Sequence, residues 1–237
     1  GTPRFPMECF ITRTEGIQHF QFPLHWHRNV EIMQVLRGTT SVTIGNETFS
    51  GEEGDIFFIN QEELHRVASE DDQLVYRTVI FPLQALTFSE SDASQTYLEQ
   101  LIQGTQRFPV QLTRKKDCDF LYALLYQIQN AAEQKSSGYE LMVKALLLQM
   151  IAQMFCRHMM IPVQHAPSEK SQRLKEMLQY IRQHYAESDL SVEKLCAYLH
   201  LSSTYFSTLF KRETGTTFTA YVTMVRMEAA AEAIRTT

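Results

Sequence analysis

Three side chains able to bind a metal stand close together in HWHRNVEIMQVLRG, residues 25–38: His25, His27 and Glu31. Two imidazoles and a carboxylate suit a first-row divalent ion. They also suit a pocket that holds a polar ligand by hydrogen bonds, and the spacing alone does not choose. The residues around them favour a strand. Alternation along a strand turns His25 and His27 to one face. Met33 and Val35 share the face of Glu31.

A second stretch suits different work. In SVEKLCAYLHLSSTYFSTLFKRETG, residues 191–215, Val192, Leu195, Cys196 and Leu199 form one apolar stripe. Phe206, Leu209 and Phe210 form another. Ser191 and Ser202 are placed as N-caps, and Gly215 closes the second helix in the left-handed conformation. Two short helices around a tight turn at His200 make a helix-turn-helix. Its recognition helix is 203–213. Ser203, Thr204, Ser207 and Thr208 point away from the apolar stripe, where side chains reach base edges. Lys211 and Arg212 meet phosphates, which set affinity rather than sequence. A protein-interaction module would need a large exposed apolar face, which this pattern does not offer.

The elements that position these residues fall into two textures. Residues 8–81 read as all-β, with the runs FQFPLHWH, VEIMQVL, TSVTIG, ETFS, GDIFFIN and LVYRTVIF separated by turn residues. Many short strands at this spacing predict a sandwich or small barrel. Past Leu83 the periodicity becomes helical over 92–104, 117–134 and 138–160, with Ser136-Ser137-Gly138 as a break. PVQHAPSEKS, 162–171, reads as a linker, and everything from Gln172 onward reads as helix. Two seams, Cys118, Leu121, Leu125, Ile128, Ala132 and Leu141, Ala145, Leu148, Ala152, Phe155, suit either packing on the barrel or a dimer interface.

Composition narrows the classes. The chain has 237 residues, 44% hydrophobic, enough for two domains. Its net charge of −5 argues against a chain that binds nucleic acid throughout. Cys9, Cys118, Cys156 and Cys196 lie far apart without a CxxC pair, which predicts reduced thiols in a cytoplasmic protein. GTPRFPMECF lacks the apolar core of a signal peptide. LMVKALLLQMIAQMFCRHMM carries Lys144, Gln149, Gln153, Arg157 and His158, too polar to span lipid comfortably. GEEGD lacks the Lys and helix of a phosphate loop. Cys156 and His158, two apart on a helix, do not face each other as a nucleophile pair.

The stretch LSVEKLCAYLHLSSTYFSTLFKRETGTTFTAYVTMVRMEAAAEAI, 190–234, resembles the first half of the DNA-binding domain of the AraC family of bacterial transcription regulators. That resemblance implies a helix after Thr217 linking two helix-turn-helix units, and Phe218, Tyr221, Val222 and Val225 give it one apolar face. The chain stops at Thr237, about forty residues short of the second unit so implied. Truncation, and therefore weak, salt-sensitive DNA binding, is the expectation.

The first half resembles the cupins. His25-x-His27-x3-Glu31-x6-Gly38 matches the first cupin motif, and Gly54-x10-His65 within GDIFFINQEELH matches the second. In metal-binding cupins the resemblance makes His25, His27, Glu31 and His65 the ligands. Asn60 and Glu62 stand where the second motif has Pro and Gly, Ser69 where it has Asn, and His19 where the first begins with Gly. Sensor barrels of AraC type carry this pattern too, which implies a small-molecule effector, frequently a sugar. Fusion to a DNA-binding element weighs for a metal-free pocket, with no cofactor. A divalent metal on the same four residues is the alternative, and a metal-dependent cupin oxygenase or isomerase with a helical tail is the competing function.

The chain thus reads as an α+β, non-enzymatic protein. A cupin-like, effector-binding β-barrel spans 1–83, and a helical dimerisation or packing region spans 84–161. A linker covers 162–171, and an all-α AraC-type domain at 172–237 holds the first helix-turn-helix and the linker helix. His25, His27, Glu31, Met33 and His65 are its effector residues. Its expected partners are promoter DNA, a small-molecule effector and a second copy of itself, with no membrane.

Overall fold

The computed structural model describes residues 5–89, 92–113, 118–163 and 169–236. Two compact units divide the chain: 1–22 with 26–166, and 167–237, to which Pro23–His25 are also counted.

The first unit opens with eight strands: β1 (Glu8–Arg13), β2 (Phe20–His25), β3 (Val30–Arg37), β4 (Thr40–Ile44), β5 (Glu47–Gly51), β6 (Ile56–Ile59), β7 (His65–Ser69) and β8 (Val75–Phe81). A 3-10 turn (Leu83–Leu86), α1 (Gln95–Ile102), the two-residue strands β9 (Gln106–Arg107) and β10 (Gln111–Leu112), α2 (Asp119–Gln134), α3 (Tyr139–Cys156) and β11 (Ile161–Pro162) follow. One sheet runs β1-β8-β3-β6-β10 and the other β2-β7-β4-β5, with β9 and β11 paired separately. Gly45, in the left-handed region at φ 60°, makes the two-residue hairpin between β4 and β5.

Strand alternation builds two cores from the first sheet. Val30, Ile32, Ile56, Phe58, Val79 and Phe81 face the helices and pack with Leu121, Leu125, Leu147 and Met150. Met33, Val35, Phe57, Ile59 and Tyr76 face inward and meet Val42, Ile44 and Val67 of the other sheet. β6, IFFI, is buried at every residue because both of its faces are covered. Strands β1 and β7 were not among the expected runs, and β10 lies between the expected helices 92–104 and 117–134. Its residues Gln111 and Leu112 pair with Phe57 and Ile56. Phe10 of β1 and Phe22 of β2 are 42% and 37% exposed. Phe20 does pack against the inward core.

Arg77 lies on the helix-facing side, opposite Tyr76. Its buried guanidinium donates to Gln34 and to Gln129 of α2. Burial pushes the neighbouring Cys9 thiol up to about 11, while the Arg77 charge pulls the other way. Gln129 in turn donates to Glu133 at 2.7 Å, so a polar chain crosses an otherwise apolar layer.

Among the described residues, α3 is long and apolar enough by length and composition to cross a membrane. Val143, Leu146, Leu147, Met150, Ile151 and Met154 are instead buried against the sheet and α2. The two helical seams have different fates. Leu121, Leu125 and Ile128 of α2 are buried, whereas Leu141, Ala145 and Ala152 of α3 are exposed. Of the expected linker, residues 164–168 lie outside the described residues.

The second unit holds α4 (Glu169–His184), α5 (Val192–Leu199), α6 (Ser203–Thr214) and α7 (Phe218–Thr236). Leu174, Met177, Leu178 and Ile181 are buried with Leu195, Cys196, Phe206, Leu209 and Phe210, and so are Phe218, Tyr221, Val222 and Val225. Arg226 of α7 donates to the carbonyls of Tyr185 and Glu187 just past α4, at 2.7 and 2.8 Å. Lys194 reaches Glu187 and Asp189 at 3.0 and 2.9 Å. Hydrogen bonds to those two carboxylates hold its ammonium above the ordinary lysine range.

Candidate functional site

The histidines converge. His25 ends β2, His27 follows it, Glu31 is on β3 and His65 begins β7. One ligand atom from each of the four lies within 4.8 Å of all the others. His27 Nε2 is 3.1 Å and His65 Nε2 3.3 Å from the same carboxylate oxygen of Glu31. The His27 and His65 rings meet edge-on at 5.0 Å. Glu31 and His65 are buried, at 8% and 1% exposure.

Each ring is also fixed from behind. His25 Nδ1 lies 3.0 Å from the Pro23 carbonyl, His27 Nδ1 3.0 Å from that of Asn29, and His65 Nδ1 2.9 Å from that of Glu63. A carbonyl only accepts, so each Nδ1 carries a hydrogen and each ring turns its Nε2 toward the cluster. The sequence gives no sign of these bonds, because their acceptors are backbone atoms.

Met33, the fifth expected effector residue, faces the same interior but is wholly buried in its apolar packing. That packing fills the barrel between the two sheets. The β4–β7 register runs from Ile44 opposite His65 to Ser41 opposite Ala68. At the Ser41 end, away from the histidines, an open groove of about 750 Å³ is lined by Thr40, Ser50, Asp55, Ser69, Glu70 and Gln111 among others. No aromatic ring or cationic side chain lines it among the described residues.

The departures from the cupin pattern turn out to be structural substitutions. His19 and Glu62, which replace motif glycines, both adopt the left-handed conformation, at φ 56° and 61°. That costs an L-residue roughly 1–2 kcal/mol. The Glu62 amide donates to the His27 carbonyl at 2.8 Å, so the strained turn is tied to a candidate ligand. Asn60 pairs with the Phe108 backbone in both directions, at 2.8 and 3.2 Å. Ser69 donates to the Thr39 carbonyl at 2.7 Å.

In the second unit, α5 and α6 make the expected helix-turn-helix. Ser191 Oγ accepts from the Lys194 amide and Ser202 Oγ from the Tyr205 amide, each at 3.2 Å. His200 takes φ 54° in the turn and Gly215 φ 76° after α6. Phe206, Leu209 and Phe210 are buried. Ser203, Thr204, Ser207, Thr208, Lys211 and Arg212 are all exposed. Tyr205, absent from the expected contact set, is 45% exposed beside them.

Comparison with known proteins agrees with both halves. The profile described as AraC-like ligand binding domain matches residues 10–151. That of bacterial regulatory helix-turn-helix proteins, AraC family, matches 181–223. The uncharacterized HTH-type transcriptional regulator YdeC of Bacillus subtilis is 24% identical over 228 residues, covering 96% of this chain and 78% of its own. The regulatory protein PocR of Salmonella typhimurium is 38% identical over 66 residues, covering 28% of this chain and 22% of its own. A crystal structure of ToxT from Vibrio cholerae superposes with a TM-score of 0.49 at 10% identity, over 92% of this chain and 98% of that one. With the ligand-binding profile on more than half of its length and the helix-turn-helix profile on the helices that follow, the chain belongs to the AraC family of bacterial transcription regulators.

Proposed function

We propose that this regulator binds promoter DNA through α6 and takes its effector at the barrel mouth formed by His25, His27, Glu31 and His65. The observation that carries the DNA reading is the division of α6 into a buried aromatic face and an exposed face of hydroxyls and cations. Ser203, Thr204, Ser207 and Thr208 offer hydroxyls, and two threonine methyls, to base edges. Lys211 and Arg212 lie one turn further on and suit phosphates.

Two readouts test this on the full chain with a selected duplex. Lys211→Ala with Arg212→Ala weakens binding for every sequence and lowers the slope of log affinity against log salt by about 2. Thr208→Ala instead changes which bases are preferred. An unchanged salt slope removes α6 from the interface.

The effector reading rests on the convergence of the four side chains, and the filled barrel interior favours an effector smaller than a sugar. Dimerisation through α3 is supported by its outward face, where Leu141 is 73% and Met142 53% exposed beside Ala145 and Ala152. Contiguous apolar surface of this kind marks an interaction site. Leu141→Glu with Met142→Glu is expected to change the sedimenting mass from two protomers to one. A single-protomer mass for the unaltered chain at high concentration defeats this reading.

A further inference from the structure

We infer that α6 selects its DNA sites by thymine, through the methyl groups of Thr204 and Thr208. This rests on α6 being the helix that reads DNA, and it names the base class that the helix takes.

Placement is the first support. At about 100° per residue, Thr208 stands roughly 160° around the helix from both Phe206 and Phe210. Those two rings are buried, so Thr208 points away from the core of its unit. Thr204 precedes it by one turn, and both are exposed. Together they form the crest of α6, in the half of a recognition helix that comes nearest to base edges in the major groove.

The chemistry of that crest is narrow. Guanine is read best by Arg or Lys, adenine by Asn or Gln, and cytosine by Asp or Glu. Residues 203–208, STYFST, contain none of these. The cations come one turn later, and Arg212 Nε already donates to Glu213 at 2.7 Å. Ser203 hydrogen-bonds with the Cys196 thiol of α5, at the edge of the face. A pair of methyls and a pair of hydroxyls remain at the crest. Thymine alone among the four bases presents a methyl group in the major groove, beside its O4 acceptor. A threonine matches both, methyl to methyl and hydroxyl to O4.

The hydroxyls are also available. A helical threonine can spend its hydroxyl on the carbonyl four residues back. Thr214 does so to Phe210 at 2.7 Å, and Thr223 to Thr219 at 2.9 Å. Neither Thr204 nor Thr208 makes a side-chain hydrogen bond among the described residues. Threonine is a poorer helix former than alanine, and at exposed positions packing does not decide the residue.

The test uses the full chain at low salt. A randomised duplex library is enriched on it, and thymine is expected at positions shared by the selected sites. Each such dT is then replaced by dU, which removes the methyl and keeps the base pair. Each lost methyl weakens binding about fourfold, the worth of one buried carbon. Thr208→Ser keeps the hydroxyl, so it weakens binding to the thymine duplex and abolishes the dU loss at the base it touches. Thr208→Val keeps a methyl, so that loss persists. Thr204→Ser does the same at a neighbouring thymine. All three variants retain the melting temperature, which separates lost contacts from unfolding. Equal affinity for the dT and dU duplexes overturns the inference. So does a dU loss that survives both serine variants together, because DNA shape then carries it. Selected sites dominated by guanine, or no enrichment at all, overturn it as well. The salt slope of the Lys211 and Arg212 variant does not depend on sequence, so these failures leave α6 standing as the DNA-binding helix.

Discussion

Phe57→Ala lowers the stability of the sensor by about 3–5 kcal/mol. The ring is wholly buried in the inward core, opposite Met33 on β3 and Gln111 on β10. Its edge lies so close to Gly51 that a Cβ there would sit 2.6 Å from Phe57 Cε2. The ring and the glycine are therefore one fitted pair, and truncating the ring leaves a void that the two sheets cannot close. With a urea dependence of about 2 kcal/mol per molar, the unfolding midpoint falls by roughly 2 M. Because the void is apolar, benzene should recover part of the loss. A shift under about 0.5 M would mean that the barrel collapses onto the vacancy and is not rigidly filled. Gly51→Ala approaches the same contact from the other side.

Phe206→Ala leaves the DNA-binding unit unfolded while the sensor keeps its own transition. Phe206 is wholly buried and meets the Phe210 ring at 5.2 Å and the Phe218 ring at 5.8 Å. Phe210 in turn meets Tyr221 edge-on at 5.5 Å. This aromatic stack joins α6 to α7. A helical unit of this size has a net stability of only about 3–5 kcal/mol, and losing a buried Phe costs a similar amount. Far-UV circular dichroism should lose the signal of α4–α7, and DNA binding should vanish with it. Binding that survives with altered sequence preference would mean that α6 is held chiefly by its turn to α5.

Sequence periodicity revealed the helices well, because their apolar stripes are long and their ends carry local signals. Ser191, Ser202, His200 and Gly215 each act within four residues, so the cap and turn conformations were readable without tertiary context. The short strands were harder. β7, HRVAS, alternates weakly, and β10 spans two residues whose extended form comes from pairing with β6. Neither can be read locally, since a strand partner distant in sequence decides it. The four candidate ligands were visible by spacing and resemblance. What orients them was not, for Pro23, Asn29 and Glu63 act through carbonyl oxygens common to every residue. The Arg77 relay was hidden for a related reason: its acceptors Gln34 and Gln129 are distant in sequence and carry no pattern.

The pairing of the first strand with the eighth has a consequence for how the protein is made. Glu8 lies opposite Ile80 and Arg13 opposite Val75. A ribosome adding about 5–20 residues per second needs about 4–14 s to deliver β8 after β1. Throughout that interval β1 waits without its ladder, and the sheet that carries Glu31 cannot close. The helix-turn-helix, whose contacts are nearly all between neighbours in sequence, has no such wait. Pauses between codons 14 and 74 therefore lengthen the sensor's exposure to misassembly and leave its DNA-binding partner untouched.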